Sequence, residues 1–352
     1  MAGAVNDGGA NPKDHEICQL PGSVLSFHKY QPRPLTALSY TTIEASANMS
    51  SANNVTSDVD GNNNCCAACG IKESDDMKLK DCAACHLVKY CGVQCQKNHR
   101  KQHKKECKKR AAELRDELLF KQPESTHMGD CPICCAPLSL DESKTLLSSC
   151  CCVHYCDGCS YANQMKDARS MDEPVCPFCR EPYATSHAEA ERNIAKRVAA
   201  GNKVAIRQKG IEARMTRNYG VALELLTRAA NMGDIIANDE LATMYFVGEG
   251  IERDEKTALK HFEEAAIGGH PKARLFLGEI DSIHRRQDRA VKHFIIAASL
   301  GHDGGLEKVK EWYTLGFVSK EDFAKTLRAH HAAIQSTKTP ERDEAAKATR
   351  CF

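Results

Sequence analysis

Long apolar runs are missing from this chain of 352 residues. No stretch approaches the ~18–20 apolar residues that a membrane helix needs, so no bilayer span is expected. A dominant charge is missing as well: 48 Lys and Arg face 47 Asp and Glu, a formal net charge of +1, which argues against a polyelectrolyte binder. Met1 to Glu16 lacks both a basic and an apolar segment, so no secretory signal is expected there. There is no glycine-rich phosphate loop, no Gly-x-Ser-x-Gly elbow and no His-Glu-x-x-His, and Cys351-Phe352 is too short for a prenylation box. The one tryptophan, Trp312, stands beside Tyr313 and reads as a core residue. Cysteine is absent from residues 180–350, yet 18 of the 20 cysteines fall between Cys65 and Cys179. A disulfide scaffold without a signal peptide would rarely concentrate its thiols this way, whereas metal sites in a reducing compartment would. An intracellular, cytoplasmic or nuclear, metal-binding protein is therefore expected.

The length allows two or three domains. Residues 1–64 are rich in Ser, Asn, Thr and Gly and are expected to be disordered. One Cys/His cluster spans 65–107, a helical linker 108–127, a second cluster 128–183, a helical region 187–336 and a flexible tail 337–352. Leu114, Leu118 and Leu119 form an apolar stripe on a helix predicted from Lys108 to Gln122. Within 187–336 one helix ending recurs: Ala229-Ala230-Asn231-Met232-Gly233, Ala265-Ala266-Ile267-Gly268-Gly269 and Ala297-Ala298-Ser299-Leu300-Gly301, with a fainter copy at Ala199-Ala200-Gly201. A period of this kind predicts an all-α helix-pair solenoid whose units bury their faces against neighbours. The segment Asp239 to Ile251, followed by Asp254 and Lys256-Thr257-Ala258, resembles the Sel-type repeat of the tetratricopeptide superfamily. The fold class expected is thus multi-domain: small zinc-stabilised α+β fingers followed by that solenoid.

The first cluster reads Cys-x2-Cys-x12-Cys-x2-Cys-x5-Cys-x3-Cys-x7-His-x3-Cys, through Cys66, Cys69, Cys82, Cys85, Cys91, Cys95, His103 and Cys107. Eight soft ligands satisfy two tetrahedral zinc ions. The pattern, with its Tyr90-Cys91 and Cys95-Gln96 pairs, resembles a MYND zinc finger. That resemblance implies interleaved sites, Cys66, Cys69, Cys91 and Cys95 holding one zinc and Cys82, Cys85, His103 and Cys107 the other. Arg100 departs from the family, which usually carries a Trp there, and Cys65 could replace its neighbour by a register slip. Lys97 to Arg110 holds eight Lys and Arg against one Glu, with no interleaved aromatics. Such a run reads as a solvated helix face, and nucleic acid is not the partner expected.

In the second cluster Cys131-Pro132-Ile133-Cys134 opens and Cys176-Pro177-Phe178-Cys179-Arg180 closes, with Cys150, Cys151, Cys152, His154, Cys156 and Cys159 between. It resembles a RING finger, which implies Cys131, Cys134, Cys156 and Cys159 at one zinc and Cys176 with Cys179 at the other. Cys151 with His154 is the completing pair preferred, and Cys150 with Cys151 or Cys152 is the alternative; Cys135 is a spare thiol. About four zinc ions are therefore expected. The resemblance further implies a docking patch for a ubiquitin-conjugating enzyme at Ile133, Pro177 and Arg180. No Trp lies between Cys159 and Cys176, where many ligases carry a further docking residue. The function expected is an adaptor acting as a RING-type ubiquitin ligase, with substrates held by the repeats and the MYND-like finger. The alternatives are a non-enzymatic scaffold and, third, a nucleic-acid-associated regulator.

Overall fold

The computed structural model describes residues 64–170 and 173–349, so the expectation for residues 1–64 lies outside it apart from Asn64. Among the described residues no helix is long and apolar enough to cross a membrane. They form two units, 64–119 and 120–349.

In the first unit β1 (Lys80–Asp81) pairs antiparallel with β2 (Lys89–Tyr90), and α1 (Val93–Leu119) follows. No Gly or Pro interrupts α1. The linker helix expected to begin at 108 is therefore the second half of the finger's own helix, and it stops at Leu119 rather than Gln122. Its apolar cluster is Cys66, Leu79, Cys82, Cys85 and Tyr90, and α1 adds the buried His103 and Leu119. A core this small and rich in thiols does not stabilise a fold without cross-links or metal.

The second unit opens with an irregular segment, then a second finger in which β3 (Thr145–Leu147) and β4 (His154–Cys156) pair antiparallel and lead into α2 (Asp157–Ser170). Helices α3 (His187–Ala199), α4 (Lys203–Met215), α5 (Tyr219–Asn231), α6 (Ile235–Val247), α7 (Glu255–Ile267), α8 (Pro271–Ile283), α9 (Gln287–Ser299), α10 (Asp303–Thr314) and α11 (Lys320–Ser336) stack in sequence order. This is the solenoid the repeat predicts. Helices start at side-chain caps: Asn202, Asp234, Asp254 and Ser319 each accept the N–H of a first-turn residue. They stop where Gly201, Gly233, Gly269 and Gly301 take left-handed φ of 76–88°. Those glycines lie 32, 36 and 32 residues apart. The longer unit has its extra length between α6 and α7, where seven residues (248–254) connect the helices; three (284–286) suffice between α8 and α9.

Alanines set the helix spacing. Ala222, Ala229, Ala237, Ala290 and Ala298 are fully buried, beside Ile206, Leu226, Leu241, Met244, Phe294 and Val309. Trp312 joins this core with its ring 5.4 Å from Phe294. At Gly278 the ring of Phe294 comes so close that a Cβ would lie 2.5 Å from its Cε1.

Several contacts tie the second finger and the segment before it to the solenoid. The buried Cys152 thiol sits with Ile194 and Ala205, and Val198 and Val204 pack around it. Arg197 Nε donates to the carbonyl of Cys150 at 2.5 Å. In the segment before the finger, Phe120 packs on His293 (4.8 Å) under the Arg289 guanidinium, and the His127 N–H donates to Gly269 O. Residues 337–352, expected to be a flexible tail, instead contain helix α12 (Pro340–Thr349), which packs on α2.

Gly278→Ala is expected to destabilise the solenoid by about 1–3 kcal/mol, the cost of overpacking a filled core. Urea unfolding followed by far-UV circular dichroism checks this.

Candidate metal centres

Four of the five Cys-x2-Cys pairs are turns built alike; the fifth, Cys156 with Cys159, leads into α2. The residue after the second cysteine takes a left-handed φ and donates its N–H to the carbonyl of the first: Gly70 to Cys66 (2.8 Å), His86 to Cys82 (2.9 Å), Cys135 to Cys131 (2.8 Å) and Arg180 to Cys176 (3.0 Å). The turn leaves both sulfurs on one side, with backbone N–H groups aimed at the first. Burial works against ionisation of Cys66, but the N–H groups of Cys91, Ala68 and Cys69 outweigh it and lower the thiol to about 6. In the same way Cys82 falls to about 6, Cys131 to about 7 and Cys176 to about 7, the last helped by the Ser148 hydroxyl. In each turn the first cysteine is thus the ready thiolate.

The remaining ligands come from helix and hairpin. In α1 the spacing of four residues puts His103 and Cys107 on one face, and Cys95 lies in the first turn of the same helix. The structure gathers Cys66, Cys69, Cys91 and Cys95 into one group and Cys82, Cys85, His103 and Cys107 into another, all ligand atoms of a group within 4.8 Å of one another. Cys69 Sγ is 3.6 Å from Cys91 Sγ, and Cys85 Sγ is 3.1 Å from His103 Nε2. Tyr90 OH meets His99 Nδ1 at 3.1 Å, and the His99 ring stacks on His103, orienting that ligand. Arg100 points to solvent, as do Lys97, Lys101, Lys104, Lys105, Lys108 and Lys109.

In the second finger Cys131, Cys134, Cys156 and Cys159 form the third group. The fourth is Cys150, Cys151, Cys176 and Cys179, so Cys150 stands where His154 was preferred. Strand pairing is the reason. Leu147 pairs with His154, which places His154 in β4 while the hairpin tip presents Cys150 and Cys151 to the closing turn. His154 turns away to the solenoid, where its Nε2 accepts from Arg207 Nη2 at 3.4 Å. Burial, then the Arg207 charge, lowers this histidine to about 4 and keeps it neutral. Arg207 in turn pairs with Asp234 at 3.1 Å, both buried. Cys152 also stands outside the four groups; burial in its apolar pocket pushes the thiol up to about 11. Ser148, which the sequence did not single out, lies 3.3 Å from Cys150 Sγ and 3.1 Å from Cys176 Sγ. Of the expected docking residues, Ile133 is 43% exposed, Pro177 is half-buried and Arg180 is exposed.

The donor chemistry fits zinc. The thiols of Cys91 and Cys69 push Cys95 up to about 12; burial and then Cys85 and Cys82 push Cys107 to about 11; burial and neighbouring sulfurs raise Cys150 and Cys159 strongly. Four sulfurs this close cannot all ionise unless a cation sits among them. Soft tetrahedral sets of four thiolates, or of three thiolates and one imidazole, suit Zn²⁺ and leave no open position. Four such groups accommodate four ions.

The MYND finger family matches residues 66–107, and the Sel1 repeat family matches 199–234, 235–270 and 284–302. The chain therefore carries a MYND finger and Sel1 repeats. Among solved structures it is similar to a Sel1 repeat protein from Oxalobacter formigenes (21% identity over 44% of this chain and 66% of that one, TM-score 0.38). It is also similar to c5321, a protective antigen of uropathogenic Escherichia coli strains displaying an SLR fold (20% identity, 47% and 37%, TM-score 0.36). The chain spans less than two thirds of the length of either. No curated protein matches it.

Two outcomes are expected. Cys150→Ser lowers the bound zinc by one ion whereas His154→Ala leaves it unchanged, as read by elemental analysis of the purified chain. Thiols whose pKa is raised carry protons at neutral pH that zinc must displace, so binding releases protons and weakens as pH falls. Zinc affinity falls most steeply with pH below about 6, where Cys66 and Cys82 also take up protons; equilibrium dialysis across pH measures it.

Proposed function

We propose that the protein is an intracellular zinc-dependent adaptor for protein partners, and that its second finger recruits a ubiquitin-conjugating enzyme as a RING finger does. The observation that carries this reading is the alternation of the ligand pairs. Cys131/Cys134 join Cys156/Cys159 across the intervening pair Cys150/Cys151, which joins Cys176/Cys179. This cross-brace is the arrangement the RING resemblance implies. It fixes the opening and closing turns in one small body: Phe178 packs edge-on against Tyr155 (5.7 Å) in the core that also holds Cys131. Ile133 remains exposed on the opening turn and Arg180 on the closing one.

Closed tetrahedral zinc offers no Lewis acid. The contribution of such a finger is proximity and orientation of an activated thioester that the conjugating enzyme brings. The Sel1 repeats and the MYND finger then select what is modified. A non-enzymatic scaffold is the second reading, favoured by the lack of a Trp between Cys159 and Cys176.

The test supplies the full zinc-loaded chain with ubiquitin, activating enzyme and a panel of conjugating enzymes. Conjugates are expected to form, and to slow about 10-fold or more in Ile133→Ala, the loss of one anchoring contact worth about 1.4 kcal/mol or more. Zinc content stays unchanged, and Arg180→Ala acts in the same direction. No conjugates from the zinc-replete chain with any conjugating enzyme would leave the scaffold reading.

A further inference from the structure

Helix α12 begins at Pro340, just after Thr339, and two residues later Arg342 enters the second finger. It is almost completely buried, at 8% exposure. Nη1 donates to Pro137 O at 2.7 Å and to Thr337 O at 2.5 Å. Nη2 donates to Ala136 O at 3.2 Å and reaches Cys134 Sγ at 3.6 Å. Among the described residues no carboxylate comes within ion-pair distance of this guanidinium. Asp157 feels the Arg342 charge from farther off, and a buried cation with no anion in contact costs several kcal/mol. The anionic atom it touches is a ligand sulfur of the Cys131, Cys134, Cys156 and Cys159 group. Four thiolates around one Zn²⁺ leave that group doubly negative. Cation and anionic cluster therefore answer each other.

The approach is built into the ligand turn itself. Gly158 stands between ligands Cys156 and Cys159, and a Cβ there would lie 2.6 Å from Arg342 N and 2.7 Å from its Cγ. The absent side chain at Gly158 makes the space through which α12 reaches the knuckle. Gly158 has no need of a left-handed backbone; close approach is its whole reason.

We infer that Arg342 is an outer-sphere cation of the Cys131/Cys134/Cys156/Cys159 zinc centre, so that helix α12 is part of that metal site. Its role is positioning. It balances the charge on the thiolates and pins the carbonyls of the turn that carries Cys134. Outer-sphere partners of this kind are worth about 10- to 100-fold in metal affinity. The inference is independent of whether the finger recruits a conjugating enzyme.

The test uses the full zinc-loaded chain and its Arg342→Met, Arg342→Lys and Gly158→Ala variants. Zinc release into excess chromogenic chelator is followed in time. Cadmium NMR of the metal-exchanged protein reads each site separately. In Arg342→Met one ion of the four should leave about 10- to 100-fold faster, and one cadmium resonance should move while the others hold. Arg342→Lys, which keeps the charge and loses the fork, should fall between. Gly158→Ala, which keeps the arginine and displaces α12, should reproduce the Arg342→Met release. Unchanged release in all three variants would overturn the inference, as would equal acceleration of all the ions. If Arg342→Met fails to fold, a Lys variant with wild-type release of that ion would overturn it equally.

Discussion

Repulsion among crowded sulfurs, relieved by a divalent cation, is the constraint on which both fingers rest. Four times among the described residues soft ligands are drawn to within 4.8 Å of one another. The surrounding cores are made largely of the same cysteines. Zinc binding in such small bodies is folding energy, about 10–16 kcal/mol per structural site in finger peptides. The knuckle prepares for it by lowering the first thiol through backbone N–H groups, so one thiolate of each site exists before the metal arrives. Cys95, Cys107, Cys150 and Cys159, whose thiols are held strongly up, ionise only as the ion binds.

In the second unit metal chemistry and helix packing share residues. The hairpin that carries Cys150 and Cys151 also carries Cys152 into the pocket between α3 and α4, and His154 onto the Arg207–Asp234 pair. Breaking a buried pair of this kind costs about 3–5 kcal/mol. Distortion of the fourth metal group is therefore felt by the first helices of the solenoid. Solenoids need their end units covered, and here a zinc-bearing hairpin packs against those first helices.

Much of this was legible in the residues. The spacing of Cys and His announced four tetrahedral sites, and the Ala-Ala-x-x-Gly endings announced helix pairs whose uneven period reflects one longer turn. The histidine close to Cys151 misled because ligand type and adjacency say nothing of strand pairing; Leu147 opposite His154 decides which way that ring points. The tail misled by composition. Residues 337–352 are polar and charged, yet Thr339-Pro340-Glu341 is a helix start, with a capping side chain, a proline at the first position and an acid in the first turn. What no local pattern could announce is Arg342, whose finger partners lie more than two hundred residues away.

That separation has a consequence for the order in which the molecule is made. Cys134 and Arg342 are 208 positions apart. At a synthesis rate of about 5–20 residues per second, the guanidinium follows the thiol by roughly 10–40 s. For most of that interval the finger's cysteines have all been made, and the buried cation that faces them has yet to be translated. The finger is thus completed by a residue made long after its last ligand.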